Sequence, residues 1–288
     1  SLHNYPPTVR KHLGSALVAV ALLSMSVKFE GTMILQIRGK GPLRSLVTQM
    51  SSTGDLRGLA RWQGHVPDGN LQDVYGEGQM LITIMKDSGD RYQSIVELAG
   101  DSLTSALNNY FEQSEQLTSS FQLYVNEEQA SGIFLQALPD SLSGKPAFDD
   151  MKIDTATTDT TTASEAGTSS ATNSREEDWN RINILASTVQ AEEIFSLPAE
   201  RLLLNLFHDE VVRLHPAKPV QFSCTCSRAR VERTLVAMGR TELLAIIHDE
   251  GAIKVDCEFC NQHYRFNTAD IDALLPDSGL PGPGSVIH

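Results

Sequence analysis

The residues of this chain most able to do chemistry are its four cysteines, arranged as Cys224-Thr-Cys226, thirty intervening residues, and Cys257-Glu-Phe-Cys260. Two close pairs bracketing a small folded unit suit a tetrahedral thiolate site, because each pair supplies two ligands from a tight turn and the intervening chain brings the pairs together. An isolated four-thiolate set favours one zinc ion per chain, although iron accepts the same ligands. A closed four-sulfur shell is ordinarily structural. The first pair departs from that pattern: one residue between Cys224 and Cys226 is tighter than the two-residue spacing of common zinc ribbons, and it places two sulfurs where a strained disulfide could form. Zinc has no redox chemistry of its own, so an oxidant attacks the electron-rich sulfur. Converting either pair to a disulfide removes two anionic ligands, and zinc affinity is lost together with the folding free energy that depends on it.

The elements around these cysteines are those of a small domain. Ser227 can cap a helix over Arg228–Met238, Gly239 ends it, Thr241 can start a second helix over 242–248, and a strand follows at 253–255. Arg228, Arg230 and Arg233 lie near the first pair, where they either stabilise thiolate or form a solvated helix face. His263 follows the second pair and reads as a loop or surface histidine, since four sulfurs already complete the shell.

Upstream, Trp179, Ile182, Leu185 and Val189 recur at helical spacing, and Pro198 opens another helix carrying Leu202, Leu203, Leu206 and Phe207. These unusually apolar helices predict docking on a neighbouring domain. Between 155 and 174 there is no large aliphatic or aromatic residue, which predicts a mobile Ser/Thr-rich, acidic tether over 140–178. Before it, strands are expected at 32–38, 43–49, 79–85, 121–125 and 132–138, with a turn at Gly39-Lys-Gly-Pro42. Asp101 or Ser102 can cap a helix bearing Leu103, Leu107, Tyr110 and Phe111. The expected fold class is therefore α+β: a mainly antiparallel N-terminal sheet domain with helices (1–139), the tether, a helical linker (179–220), and a small C-terminal zinc domain with a flexible tail (221–288).

Composition narrows the function classes. The 288 residues are 41% hydrophobic, enough for a substantial core, and 36 acidic against 23 basic residues give a charge of -13 that repels nucleic acid and anionic membranes. Residues 221–288 hold six basic and nine acidic residues, which argues against a zinc-ribbon nucleic-acid module. Clustered cysteines point to metal ligation in a reducing compartment, hence a cytoplasmic protein. Arg10-Lys-His12 followed by an apolar run over 13–27 has the look of a signal peptide, but Pro6-Pro-Thr8 makes a helix start and the run favours a buried core helix. The run is too short to span a bilayer, which needs about 20 apolar residues. Gly39-Lys-Gly-Pro42 lacks the spacing of a phosphate-binding loop, and no nucleophile elbow, metalloprotease helix or carboxylate dyad is present, so no enzyme is expected. A thiol oxidoreductase using Cys257 and Cys260 would need a βαβ context that is missing here.

The sequence resembles the heat-shock protein 33 family of redox-regulated bacterial holdase chaperones over almost its whole length. The resemblance is carried by Phe222-Ser-Cys-Thr-Cys-Ser-Arg228 and Cys257-Glu-Phe-Cys-Asn-Gln-His-Tyr-Arg-Phe266. In the first domain it rests on the order of Gly39-Lys-Gly-Pro42, Arg57-Gly-Leu-Ala60, Tyr92-Gln93, Gly100-Asp-Ser-Leu103 and Tyr110-Phe-Glu-Gln-Ser-Glu-Gln-Leu117. It implies a reduced, zinc-bound, inactive monomer. Oxidative stress would join Cys224 to Cys226 and Cys257 to Cys260, release zinc, unfold the linker helices within 179–207, and expose apolar surface that holds unfolding client proteins without ATP, with the active form a homodimer. Family members usually begin with a further N-terminal segment, so this chain is expected to start inside the first domain, and the 140–178 tether is longer than the resemblance leads one to expect.

Overall fold

A computed structural model describes residues 3–114, 118–138 and 169–276. The chain divides into a large unit, Tyr5–Phe222, and a small one formed by Ser223–His288 with Ser1–Asn4. The large unit opens with helix α1 (Pro7–Ser26), whose first turn carries proline where no intrahelical donor is needed. Strands β1 (Gly31–Gly39), β2 (Leu43–Ser51) and β3 (Asp55–Trp62) follow, then a short helix α2 (Leu71–Tyr75), β4 (Gly78–Lys86), β5 (Arg91–Glu97) and helix α3 (Leu103–Ser114). Ser102, not Asp101, is the α3 cap, its hydroxyl accepting from the Ser105 N–H at 3.2 Å. Strands β6 (Ser119–Val125) and β7 (Ala130–Gln136) complete the part that precedes the linker.

Five antiparallel strands form one sheet in the order β5-β4-β1-β2-β3. Their alternation sends Met33, Leu35 and Ile37 of β1, and Leu46, Thr48 and Met50 of β2, into the core. The β1–β2 turn needs its glycines for space: a Cβ on Gly39 or Gly41 would meet the backbone of Tyr75 at 2.2 or 2.5 Å. Gly41 also donates its N–H to the Tyr75 carbonyl at 2.6 Å, which ties the turn to α2.

Helix α1 is the apolar run that has the look of a signal peptide. It lies between that sheet and the separate β6–β7 hairpin, burying Val9, Leu13, Ala16, Val20 and Leu23. Two buried sides explain why the run is apolar nearly all round. Gly14 and Gly132 sit where a side chain would press on Val125 or Val18, so the hairpin packs tightly on the helix. Phe111, Phe121 and Phe134 form a ring cluster joining α3 to the hairpin. Among the described residues, no helix is long and apolar enough to cross a membrane.

The predicted linker folds into three helices, α4 (Ser169–Ser187), α5 (Ala191–Ser196) and α6 (Ala199–Leu206), where sequence spacing points to two. The extra helix α5 is opened by Glu193, whose carboxylate accepts from the Gln190 N–H at 3.1 Å, a contact that the apolar pattern does not report. Helix α4 also begins ten residues before Trp179, where order was expected to resume. A helix already anchored by packed residues can propagate toward its N-terminus because each added residue gains a hydrogen bond with no new nucleation cost. The rest of the expected tether, 140–168, and the last residues of the chain, 277–288, where the flexible tail of the C-terminal domain is expected, lie outside the described residues.

Ala186, Val189, Leu202, Leu206 and Phe207 form a core of their own, packed with Tyr124, Ile133 and Leu135 of the β6–β7 hairpin. The Tyr124 hydroxyl donates to the Val189 carbonyl at 3.2 Å, and burial pushes its phenol above the usual range. An extended stretch then leads to β8 (Gln221–Phe222), which pairs parallel with the outer edge of β3 through Asp55 and Leu56. Pro216, Lys218 and Val220 form one wall of a groove of about 620 Å³ whose other walls are α1, Leu56 and the start of β7.

Candidate metal centre

The small unit consists of α7 (Arg228–Met238), α8 (Arg240–Glu250), the β9 (Ile253–Asp256) and β10 (His263–Phe266) hairpin, and α9 (Thr268–Leu274). Its core contains Leu235, Leu243, Ile247, Ile253, Phe266 and Ile271. The Ser227 hydroxyl accepts from the Arg230 N–H at 3.2 Å, as a cap should, so Cys224 and Cys226 sit immediately before the first turn of α7. Gly239, at φ 88°, both ends α7 and precedes α8, which starts at Arg240 rather than at Thr241.

The second pair is carried by the loop of the β9–β10 hairpin. Cys257 donates its N–H to the Gln262 carbonyl at 2.9 Å, and Asn261 donates to the Cys257 carbonyl at 2.7 Å. Asn261 adopts φ 58°, a left-handed conformation that asparagine tolerates better than most residues, and so turns the chain from Cys260 into β10.

This geometry gathers all four sulfurs within 4.8 Å of one another. The Cys224 and Cys257 sulfurs are 3.6 Å apart, and those of Cys226 and Cys260 3.3 Å. Four sulfurs at the usual zinc–sulfur distance of about 2.3 Å on a tetrahedron would be separated by about 3.8 Å, so the cluster matches the size of a zinc site. Its electrostatics agree. Burial, reinforced by hydrogen bonding to Cys226, pushes the Cys260 thiol up to about 12, while a backbone hydrogen bond from Gln262 works in the opposite direction. Four thiolates cannot share so small a volume unless a cation offsets their charge. Among the described residues, these four cysteines are the group that could hold a metal ion.

Arg228 and Arg230 act on backbone, hydroxyl and carboxylate oxygens. Arg230 donates to the Thr225 carbonyl at 3.1 Å and to its hydroxyl at 2.7 Å, bracing the residue between Cys224 and Cys226. Arg228 bonds Glu232 and Asp270 and the Arg265 carbonyl, and lies over the Phe266 ring at 4.2 Å. It thereby ties the start of α7 to β10 and α9. His263 is exposed at the first position of β10 and faces Asp256 across the hairpin at 2.6 Å, a surface histidine on a strand and not in the loop. Sequence reasoning gave no role to Tyr264, whose hydroxyl donates to the Cys226 sulfur at 3.2 Å. Only the pairing of β10 with β9 decides which way that ring points.

Comparison with known proteins places this architecture. A family model described as Hsp33 protein matches residues 1–267. A protein named 33 kDa chaperonin from Nitrosococcus oceani is 43% identical over 96% of this chain and 84% of its own length. One of the same name from Shewanella loihica is 36% identical over 96% of this chain and 87% of its own. A crystal structure of 33 kDa chaperonin, a heat shock protein 33 homologue from Thermotoga maritima, superposes with a TM-score of 0.71 over 95% of this chain and 87% of that one; at 20% identity this likeness speaks for the fold. The relatives are named as chaperonins and not as enzymes, and the antiparallel sheet, the helices and the C-terminal cysteine cluster are those expected of their fold. The chain belongs to the Hsp33 family.

Proposed function

We propose that this chain is a redox-regulated, ATP-independent holdase of the cytoplasm, a monomer when reduced and a homodimer when oxidised, that protects unfolding proteins during oxidative stress. The observation that carries the reading is the set of four sulfurs held within 4.8 Å by two short loops. Cys224, Cys226, Cys257 and Cys260 hold one zinc ion, which supplies the positive charge that keeps four thiolates together and lends folding energy to the small unit. Two thiolates, one peroxide and two protons yield one disulfide and two waters, so oxidation within each pair, Cys224 with Cys226 and Cys257 with Cys260, leaves no thiolate to bind metal.

The consequence for client binding lies in the linker. Cys224 follows β8 by two residues, and β8 is held to β3 by a parallel pairing of only two residues. Unfolding of the small unit removes the order downstream of β8 and so weakens that hold. Release of residues 208–222 uncovers the groove beside α1, lined by Leu17, Leu22, Met25 and Leu56, and adds the already exposed Val211, Leu214 and Phe222 to a continuous apolar surface. Such a surface recognises the apolar segments of many unfolding proteins, and no nucleotide chemistry is needed.

The test is light scattering of a heat-unfolded protein in the presence of the purified chain, reduced with zinc and then oxidised with peroxide, with a chromogenic chelator reporting released metal. Suppression of aggregation only after oxidation, with about one zinc released per chain, is the expected result. Metal release without protection would reduce the cysteine cluster to a structural site.

A further inference from the structure

The Tyr264 hydroxyl reaches the sulfur of Cys226 from a different element. Its backbone is fixed by the β9–β10 ladder, where it lies opposite Val255, whereas Cys226 precedes α7. The ring is half-buried, and the 3.2 Å contact joins the hairpin that carries the second cysteine pair to a ligand from the first. We propose that Tyr264 sets the oxidation threshold of the switch by hydrogen-bonding the Cys226 sulfur. The proposal rests on the reading that peroxide oxidises the ligand sulfurs.

In that reaction a sulfur lone pair attacks one peroxide oxygen. A sulfur–oxygen bond forms, the oxygen–oxygen bond breaks, and hydroxide leaves; the sulfur loses two electrons and the peroxide gains them. A second thiolate then attacks the sulfenic acid and expels another hydroxide, and two protons turn the two hydroxides into water. The Tyr264 hydroxyl donates to the lone-pair density that must move in the first step, so it stabilises the unreacted sulfur more than the transition state. The hairpin therefore restrains oxidation of the first pair for as long as it stays folded. Loss of order at the second pair would carry Tyr264 away and make Cys226 more reactive, coupling the two pairs in one direction.

The full chain, zinc-loaded, is treated with hydrogen peroxide as wild type and as Tyr264→Phe. Quenched samples are alkylated and each cysteine peptide is quantified by mass spectrometry while zinc release is followed in parallel. Loss of one hydrogen bond to sulfur should speed modification of Cys226 by about three- to ten-fold, with Cys257 changing by less than about two-fold. Equal acceleration at all four cysteines would mean that the substitution merely loosens the unit, and an unchanged Cys226 rate with normal zinc release would remove the tuning role while leaving the redox reading intact. No modification and no zinc release in either protein would overturn the redox reading itself. Should the phenylalanine variant fail to retain zinc, growth on 3-fluorotyrosine keeps every ring and strengthens the donor; Cys226 must then react more slowly relative to Cys257, and a ratio equal to wild type would overturn the proposal.

Discussion

Replacing Leu206 with alanine attacks the linker without touching the cysteines. Leu206 is 8% exposed and belongs to a cluster of five buried residues, Ala186, Val189, Leu202, Leu206 and Phe207, that is separate from the main core. A buried leucine truncated to alanine costs about 2–5 kcal/mol, the larger values where the surroundings cannot collapse. Two of the helices bordering this cluster, α5 and α6, are short and can adjust around the truncated side chain, so the low end, about 2–3 kcal/mol, applies. Because the cluster contributes nothing to the sheet, that cost falls on the docking equilibrium of α4–α6 and raises the undocked population by about 30- to 150-fold. Hydrogen exchange should accelerate by that factor at the amides of α5 and α6 and remain unchanged in β1, β2 and β4. On the proposed function, the reduced, zinc-loaded variant should also suppress aggregation of a test protein without oxidant. Faster exchange with no protection would refute the idea that linker docking covers the client surface. Unchanged exchange would refute the assignment of Leu206 to the docking cluster.

The cysteine cluster predicts a pH dependence of metal binding: a Cys260 thiol pushed up to about 12 holds its proton, so protons compete with zinc and affinity must fall as pH falls. Competition with a chromogenic chelator between pH 8 and 6 checks the slope, and Cys260→Ser should weaken binding by more than about 100-fold. His12, whose ring meets Tyr75 edge-on at 5.4 Å, has its pKa lowered to about 4 by burial and then by the Lys11 charge, with Asp68 opposing. A lowered histidine pKa means stability that is present above its unfolded value of about 6.5 and lost as pH falls toward 4, at most about 3 kcal/mol. Urea midpoints at pH 7.5 and 4.5 should converge in His12→Gln relative to wild type.

Local pattern carried much of this protein. The convergence of the four cysteines was legible because two tight pairs leave few other uses; β1 and β2 were legible because one buried face imposes period-two alternation, and β4, β6 and β7 because short apolar and β-branched runs lie between turn residues. The Ser227 cap and the Gly39–Gly41 turn follow the same rule, since backbone donors and close approaches demand particular residue types nearby in sequence. Strand β3 escaped because Arg57 and Gly58 break its alternation, and β5 because it is an edge strand whose Ile95 is 66% exposed. Helix α5 escaped because the Glu193 carboxylate on the Gln190 N–H, and not an apolar stripe, marks its start.

Tertiary structure decided what no local pattern can encode, namely which distant groups meet. The sequence alone specified that four sulfurs would converge. Only the fold decided that Cys226 faces Cys260 and Tyr264, that Arg230 braces Thr225 and not a sulfur, and that β8 returns across the chain to pair parallel with β3. The same holds for α1: its apolar residues dictate burial, but the partners that bury it, the sheet on one side and the β6–β7 hairpin on the other, are chosen by the fold. Burial and capping are decided within a few residues, whereas register and long-range pairing depend on the free energy of the whole packed unit, which no short window of sequence contains.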